Sequence, residues 1–135
     1  MRRSFLAFPA AGAAAAIAAL AIPAASSAED ELPRWQQARP VGEAVNCISL
    51  NRIRNTEVHD DRTIDFHMNG GQVYRNTLPH SCSGLGFEES FSYETSLSQL
   101  CSTDIITVFR SGGGGVNGPS CGLGQFQPVE FPEDE

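Results

Sequence analysis

The sequence predicts an all-β domain, a small six-stranded barrel or sandwich stapled by disulfides. Three observations point there: short runs of branched and aromatic residues that alternate in polarity, an Asn-Gly-Gly turn between two of them, and four well-separated cysteines in a chain of 135 residues. No stretch carries a sustained helical period.

Residues 1–28 stand apart from that domain. Arg2 and Arg3 precede an alanine-rich apolar run, and Ser26 and Ala28 supply the small residues that signal peptidase accepts. A basic start, an apolar middle and a small-residue exit describe a secretory signal peptide cleaved before Glu29. The alanine-dominated run between Pro9 and Pro23 is weakly apolar for a membrane span, so no stable span is expected after cleavage. Cleavage would leave seven arginines and no lysine against sixteen acids, a net charge of −9. A chain that acidic repels nucleic-acid phosphates and anionic lipid surfaces, which excludes nucleic acid as a partner class.

Residues 29–43 are polar and carry two prolines, Pro33 and Pro40, so they read as an extended N-terminal arm. Trp35, the only tryptophan, is placed to pin it. The all-β domain is expected over 44–130. Its first strand is the branched run "VNCISLNRI". "RTIDFHM" follows, with Ile64, Phe66 and Met68 on one face and Thr63, Asp65 and His67 on the other. Asn69-Gly70-Gly71 is a strong hairpin turn because Asn and Gly tolerate positive φ, and "QVYRNTL" is the return strand. "ESFSYET" alternates again. "SLSQLCS" reads as one helical turn or an irregular crossing. "DIITVFR" is apolar on both faces, as in a central strand, and "GLGQFQPV" closes the domain. Residues 131–135, "FPEDE", read as a disordered acidic tail.

Cys47, Cys82, Cys101 and Cys121 all fall within the domain, separated by 35, 19 and 20 residues. Cysteine zinc sites use close pairs, and there is none here, so an even count in an exported chain favours two disulfides. In an up-and-down meander, Cys47 and Cys101 lie at one end and Cys82 and Cys121 at the other. Bonded cysteines need Cα atoms within about 7 Å. Strand parity therefore favours Cys47–Cys101 and Cys82–Cys121 over the other two connectivities, unless "SLSQLCS" returns the chain to the far end.

The near-copies "SCSGLGF" (81–87) and "SCGLGQF" (120–126) then become the two arms of one crosslinked corner. Their glycines let the chain turn beside the disulfide, and Leu85, Phe87, Leu123 and Phe126 cover it. A phosphate-binding loop would need a lysine, which the chain lacks.

The ordered series "CISLNRI", "TIDFHMNGGQVYRNTL", "CSGLGF", "LCSTDIITV" and "CGLGQFQPV", over about residues 45–129, resembles a family of small exported proteobacterial proteins of unknown function, with four spaced cysteines and a C-terminal C-x-L-G-x-F motif. The resemblance implies a secreted, cysteine-bearing domain and transfers no catalytic residue.

The richest chemistry lies in "HDDRTIDFH". His59, Asp61, Thr63, Asp65 and His67 would share one strand face, about 6.7 Å apart. Imidazole and carboxylate are good ligands for zinc and similar ions. The whole row spans about 27 Å, so only Asp65 with His67 forms a plausible pair, and a neighbouring strand would have to complete it. The plain alternative is the wet face of a half-buried strand, with "HDDR" a turn that breaks the register. Serines with His80 and Asp104 make at most a weak hydrolase pattern without a G-x-S-x-G. The Gly112–Gly115 run within Ser111–Ser120 is a spacer, a tolerated insertion or a place where a partner's backbone comes close. The sequence thus points to a periplasmic or secreted, non-enzymatic binding or structural module of the cell envelope. Its ligand would be an unidentified periplasmic or extracellular one, and no catalytic residue, metal or cofactor is assigned. The alternative is a periplasmic metal-binding protein using His59, Asp65 and His67.

Overall fold

A computed structural model describes residues 10–21, 31–112 and 117–133. The expected cleavage point before Glu29, residues 113–116 of the glycine-rich loop and the last two residues of the tail lie outside them. The chain divides into two compact units, Met1–Glu31 and Leu32–Glu135. In the first, residues 10–21 are exposed throughout. Among the described residues no helix is long and apolar enough to cross a membrane.

The second unit is all-β, built from ten described strands rather than six: β1 (Arg39–Pro40), β2 (Cys47–Ser49), β3 (Ile53–Val58), β4 (Thr63–Met68), β5 (Val73–Thr77), β6 (Phe91–Tyr93), β7 (Gln99–Cys101), β8 (Ile105–Phe109), β9 (Asn117–Gly122) and β10 (Phe126–Glu130). A one-turn helix, α1, spans Leu85–Glu88, and 3-10 turns occupy Arg34–Gln37 and Leu50–Arg52. The strands form three antiparallel sheets, in the orders β1-β10-β5-β4-β3, β2-β7 and β6-β8-β9, and do not close into a barrel.

The extra strands have local causes. The run "VNCISLNRI" is broken by the turn at Leu50–Arg52, so its halves join different sheets. "SLSQLCS" carries β7, which pairs with β2 and places Cys101 opposite Cys47. The arm contributes β1, an edge strand on β10, and the last four residues of the glycine-rich segment, 117–120, open β9 on β8.

The β4–β5 hairpin follows the sequence closely. Gly70 and Gly71, at φ 96° and 91°, take the left-handed positions, and Met68 N–H closes the loop onto the Gln72 carbonyl at 2.8 Å. Asp65 therefore pairs with Arg75 and Phe66 with Tyr74. Ile64, Phe66 and Met68 face the core, which all three sheets share: Ile48 and Leu100 from the two-stranded sheet, and Ile106 and Val108 from the three-stranded one. Phe66 sits at its centre, edge-on to Phe91 at 6.3 Å and to Phe126 at 5.4 Å. Strand β8 is central in its sheet, yet only Ile106 and Val108 are buried. Ile105 and Phe109 remain about half exposed on its outer face.

Both disulfides have the connectivity that parity favours: Cys47–Cys101 with Cα atoms 4.0 Å apart, and Cys82–Cys121 at 5.9 Å. No cysteine is free. The twin stretches meet at the second bond but differ in detail. Leu85, Leu123 and Phe126 are buried, whereas Phe87 is 88% exposed. The first copy winds into α1, and its ring lies two residues after the leucine; the second is extended, and its ring lies three after. The winding turns Phe87 outward. Gly124 is required for a different reason. A Cβ there would collide with the Thr77 carbonyl oxygen, because Asn76 clasps the Gly124 backbone through both its N–H (2.8 Å) and its carbonyl (2.7 Å).

Candidate functional site

The outer face of the five-stranded sheet carries a row of polar residues fixed by register: Glu57 on β3, Asp65 on β4, Arg75 on β5 and Gln127 on β10. Residues 60–62 make the turn between β3 and β4, tied by the Arg62 N–H to Asp60 Oδ1 at 2.8 Å, so the alternating row read from "HDDRTIDFH" folds back on itself. That fold-back carries His59, just past the end of β3, over Asp65.

Asp65 is fully buried and every bond it makes is charge-assisted or polar. Arg75 grips it with two parallel bonds, Nε to Oδ1 at 2.8 Å and Nη2 to Oδ2 at 2.9 Å, and His59 Nε2 reaches Oδ2 at 2.8 Å. A bidentate guanidinium is the strongest neutraliser a buried carboxylate has. Withdrawing a carboxylate from water costs several kcal/mol, and these three bonds offset it. The His59 side chain is only 6% exposed. Trp35 covers it, with ring centroids 4.6 Å apart and planes 7° from parallel, and the Arg75 guanidinium lies 5.7 Å from the Trp35 ring centre. The arm is therefore docked by its tryptophan.

A second stack runs alongside. His67 lies parallel to Phe131 at 6.5 Å, and Arg34 sits over the same ring at 5.6 Å while its Nη2 reaches the Pro132 carbonyl at 3.4 Å. The segment read as a disordered tail thus begins as part of the site. Glu57 joins the two stacks: its Oε2 is 3.2 Å from His67 Nε2 and its Oε1 is 4.0 Å from His59 Nδ1. Between them lies a cavity of about 240 Å³, lined by Arg34, Trp35, Glu57, His59, His67 and Phe131.

Of the sequence candidates, His59 and Asp65 come together and His67 turns to Glu57 instead. Asp61 leaves the group to accept the Gly86 N–H at 2.8 Å, and Thr63 is buried opposite Thr77. Asp104 accepts the Cys101 N–H at 2.7 Å, while His80 is exposed. Glu57, Arg75, Trp35 and Phe131 are the functional neighbours that strand-by-strand reading misses. Arg75 had a signal, since the Asn-Gly-Gly turn sets it opposite Asp65. A wider cavity, about 750 Å³, runs along β10 past Arg39, Val73 and Val129. Its acid–base pair, Arg39 with Glu130 at 3.5 Å, is mostly solvated, and no buried charge faces it. The smaller, pre-organised cleft is the better candidate. Comparison with family models, with curated proteins and with solved structures finds no match for the chain.

Proposed function

We propose that this protein is an exported, non-enzymatic binding module of the cell envelope, periplasmic or secreted, that takes a small polar ligand in the cleft under Trp35. The observation that carries this reading is the buried Asp65, held by Arg75 and His59 on what would otherwise be the solvated face of a sheet. Burying a charge there costs more than leaving it wet, and the return is a rigid floor for a cavity with convergent polar edges. The cavity is lined by two imidazoles, a carboxylate, a guanidinium and two aromatic rings, groups that suit recognition of a polar ligand. Two closed disulfides suit an oxidising compartment, and the signal-like residues 1–28 supply the route to one.

The test is an amide and indole chemical-shift titration of the exported protein with the low-mass fraction of a periplasmic extract. Shifts should concentrate at Trp35, Glu57, His59, His67 and Phe131 and disappear in Trp35→Ala. Shifts confined to the exposed Ile105/Phe109 face would overturn the reading.

A further inference from the structure

The bond pattern of the β3–β4 pair leaves one sheet edge open beside the cleft. At one end of β4 the His59 N–H donates to the Thr63 carbonyl at 2.9 Å, and at the other the Met68 N–H donates to the Gln72 carbonyl at 2.8 Å. Bonded pairs alternate along an antiparallel ladder, so Thr63, Asp65 and His67 bond toward β3, and Ile64, Phe66 and Met68 toward β5. The β3 partners of Asp65 and His67 are Glu57 and Asn55. The backbone N–H and C=O of Thr56 and Val58 therefore point off the sheet, because β3 is its edge strand. Among the described residues they meet no backbone partner there. Arg54, Asn55, Thr56 and Glu57 are all exposed. Thr56 lies opposite Phe66 on the core-facing side and is still exposed, so the inner layer ends there unfilled. Bulges and charge blunt sheet edges, but here the bulge at Ile53–Asn55 and Arg54 guard only the start of the strand.

We propose that this edge takes an extended segment of a partner protein as an added antiparallel strand, with a basic residue of that segment facing Glu57. The inference rests on the binding reading above only for the cleft that receives the basic side chain. Main-chain bonds to Thr56 and Val58 give affinity, and alternate side chains give specificity. On this side Glu57 falls at a non-hydrogen-bonded pair, where facing residues come closest, about 4.5 Å between Cα atoms. Its side chain is 56% exposed and lines the cleft, with Oε2 3.2 Å from His67 Nε2. A carboxylate has about four acceptor sites, enough to take a guanidinium or ammonium as well. The residues flanking the basic one lie opposite Thr56 and Val58, turn to the core side and are apolar. The chain's net charge of −7 draws a basic segment and repels an acidic one. Among the described residues no three His, Cys, Asp or Glu side chains are placed to hold a metal ion, and the cation argued for here is an organic one.

Exported protein with both disulfides intact is titrated with the blocked peptide acetyl-Thr-Val-Arg-Val-Thr-amide, followed by amide and indole chemical shifts and by amide exchange. Shifts should centre on residues 55–58 and reach the Trp35 indole, and the Thr56 and Val58 N–H groups should gain protection. Glutamate in place of the peptide's arginine should weaken binding at least about fivefold. N-methylation of both valines blocks the edge bonds and should weaken it at least about tenfold. Thr56→Pro removes an N–H on the solvent side of an edge strand, a position where proline is tolerated, so the variant should fold and bind at least about tenfold more weakly. Glu57→Arg should reverse the preference between the two peptides. Equal affinity for both peptides, binding unchanged by N-methylation, or shifts centred away from β3 overturns the proposal. So does a dimer in sedimentation that Thr56→Pro dissociates while no peptide binds, which gives the edge to a second copy. If no peptide binds and the extract still shifts Trp35, the edge assignment falls and the cleft reading stands. Peptide bound as expected with no extract-induced shift supports the edge and removes the low-mass ligand.

Discussion

His59, one residue past β3, and Asp65 on β4 lie on the two arms of one hairpin, and the turn at residues 60–62 brings them to 2.8 Å beneath the Trp35 ring. The contact ties the arm, the sheet and the cleft into one unit. Behind it, the Arg75 guanidinium holds the fully buried Asp65 carboxylate.

Arg75→Ala leaves a fully buried carboxylate with only a histidine for company. We expect a loss of about 3–5 kcal/mol, the usual cost of orphaning one member of a buried pair. Urea denaturation followed by Trp35 fluorescence measures it, and a loss below about 1 kcal/mol would mean that Asp65 is solvated.

The Cys82–Cys121 bond closes a separation of 39 residues, and removing it by the double change to alanine should cost about 2–5 kcal/mol. The double change is preferred because a single one would leave a reactive partner thiol. Non-reducing peptide mapping should recover Cys47 joined to Cys101 and Cys82 joined to Cys121, and a peptide linking Cys82 to Cys101 would contradict this fold.

Gly124→Ala tests the clasp made by Asn76. The added methyl meets the Thr77 carbonyl, so the β5–β10 pairing must shift, at a cost of about 1–3 kcal/mol. Gly112→Ala, where a Cβ meets nothing, is the matched control. Equal thermal midpoints for the two variants would refute the clasp.

Export is checked by N-terminal sequencing of protein recovered outside the cytoplasm, which should begin at Glu29. Recovery of a soluble form that retains Met1 would remove the basis for an envelope role.

Much of the β architecture was legible because it depends on local chemistry. The Gly70-Gly71 turn and the alternation of "TIDFHM" together determine the β4–β5 register, and with it the partnership of Asp65 and Arg75. The break at Leu50–Arg52 was not legible, since the surrounding run is uniformly good strand former and tertiary packing decides where it bends. Without that break, β3 cannot be placed beside β4, and Glu57 cannot be seen opposite Asp65. Phe87 shows the opposite failure: two similar strings take different local conformations, so the matching ring ends up on the other side of the chain. Trp35 was readable as an anchor, but nothing in the sequence says that it lands on His59.

The order of the bonded cysteines has one more result. Cys82 lies inside the span closed by Cys47–Cys101, and Cys101 lies inside the span closed by Cys82–Cys121, so the two covalent rings overlap. A single proteolytic cut anywhere between Cys47 and Cys121, including within the glycine-rich stretch after Gly112, leaves both pieces tethered by at least one bond. Cuts on either side of Cys82, one before it and one before Cys101, still release no cysteine-bearing fragment. In surroundings rich in proteases, a nicked molecule keeps its strands at high effective concentration and can hold its fold.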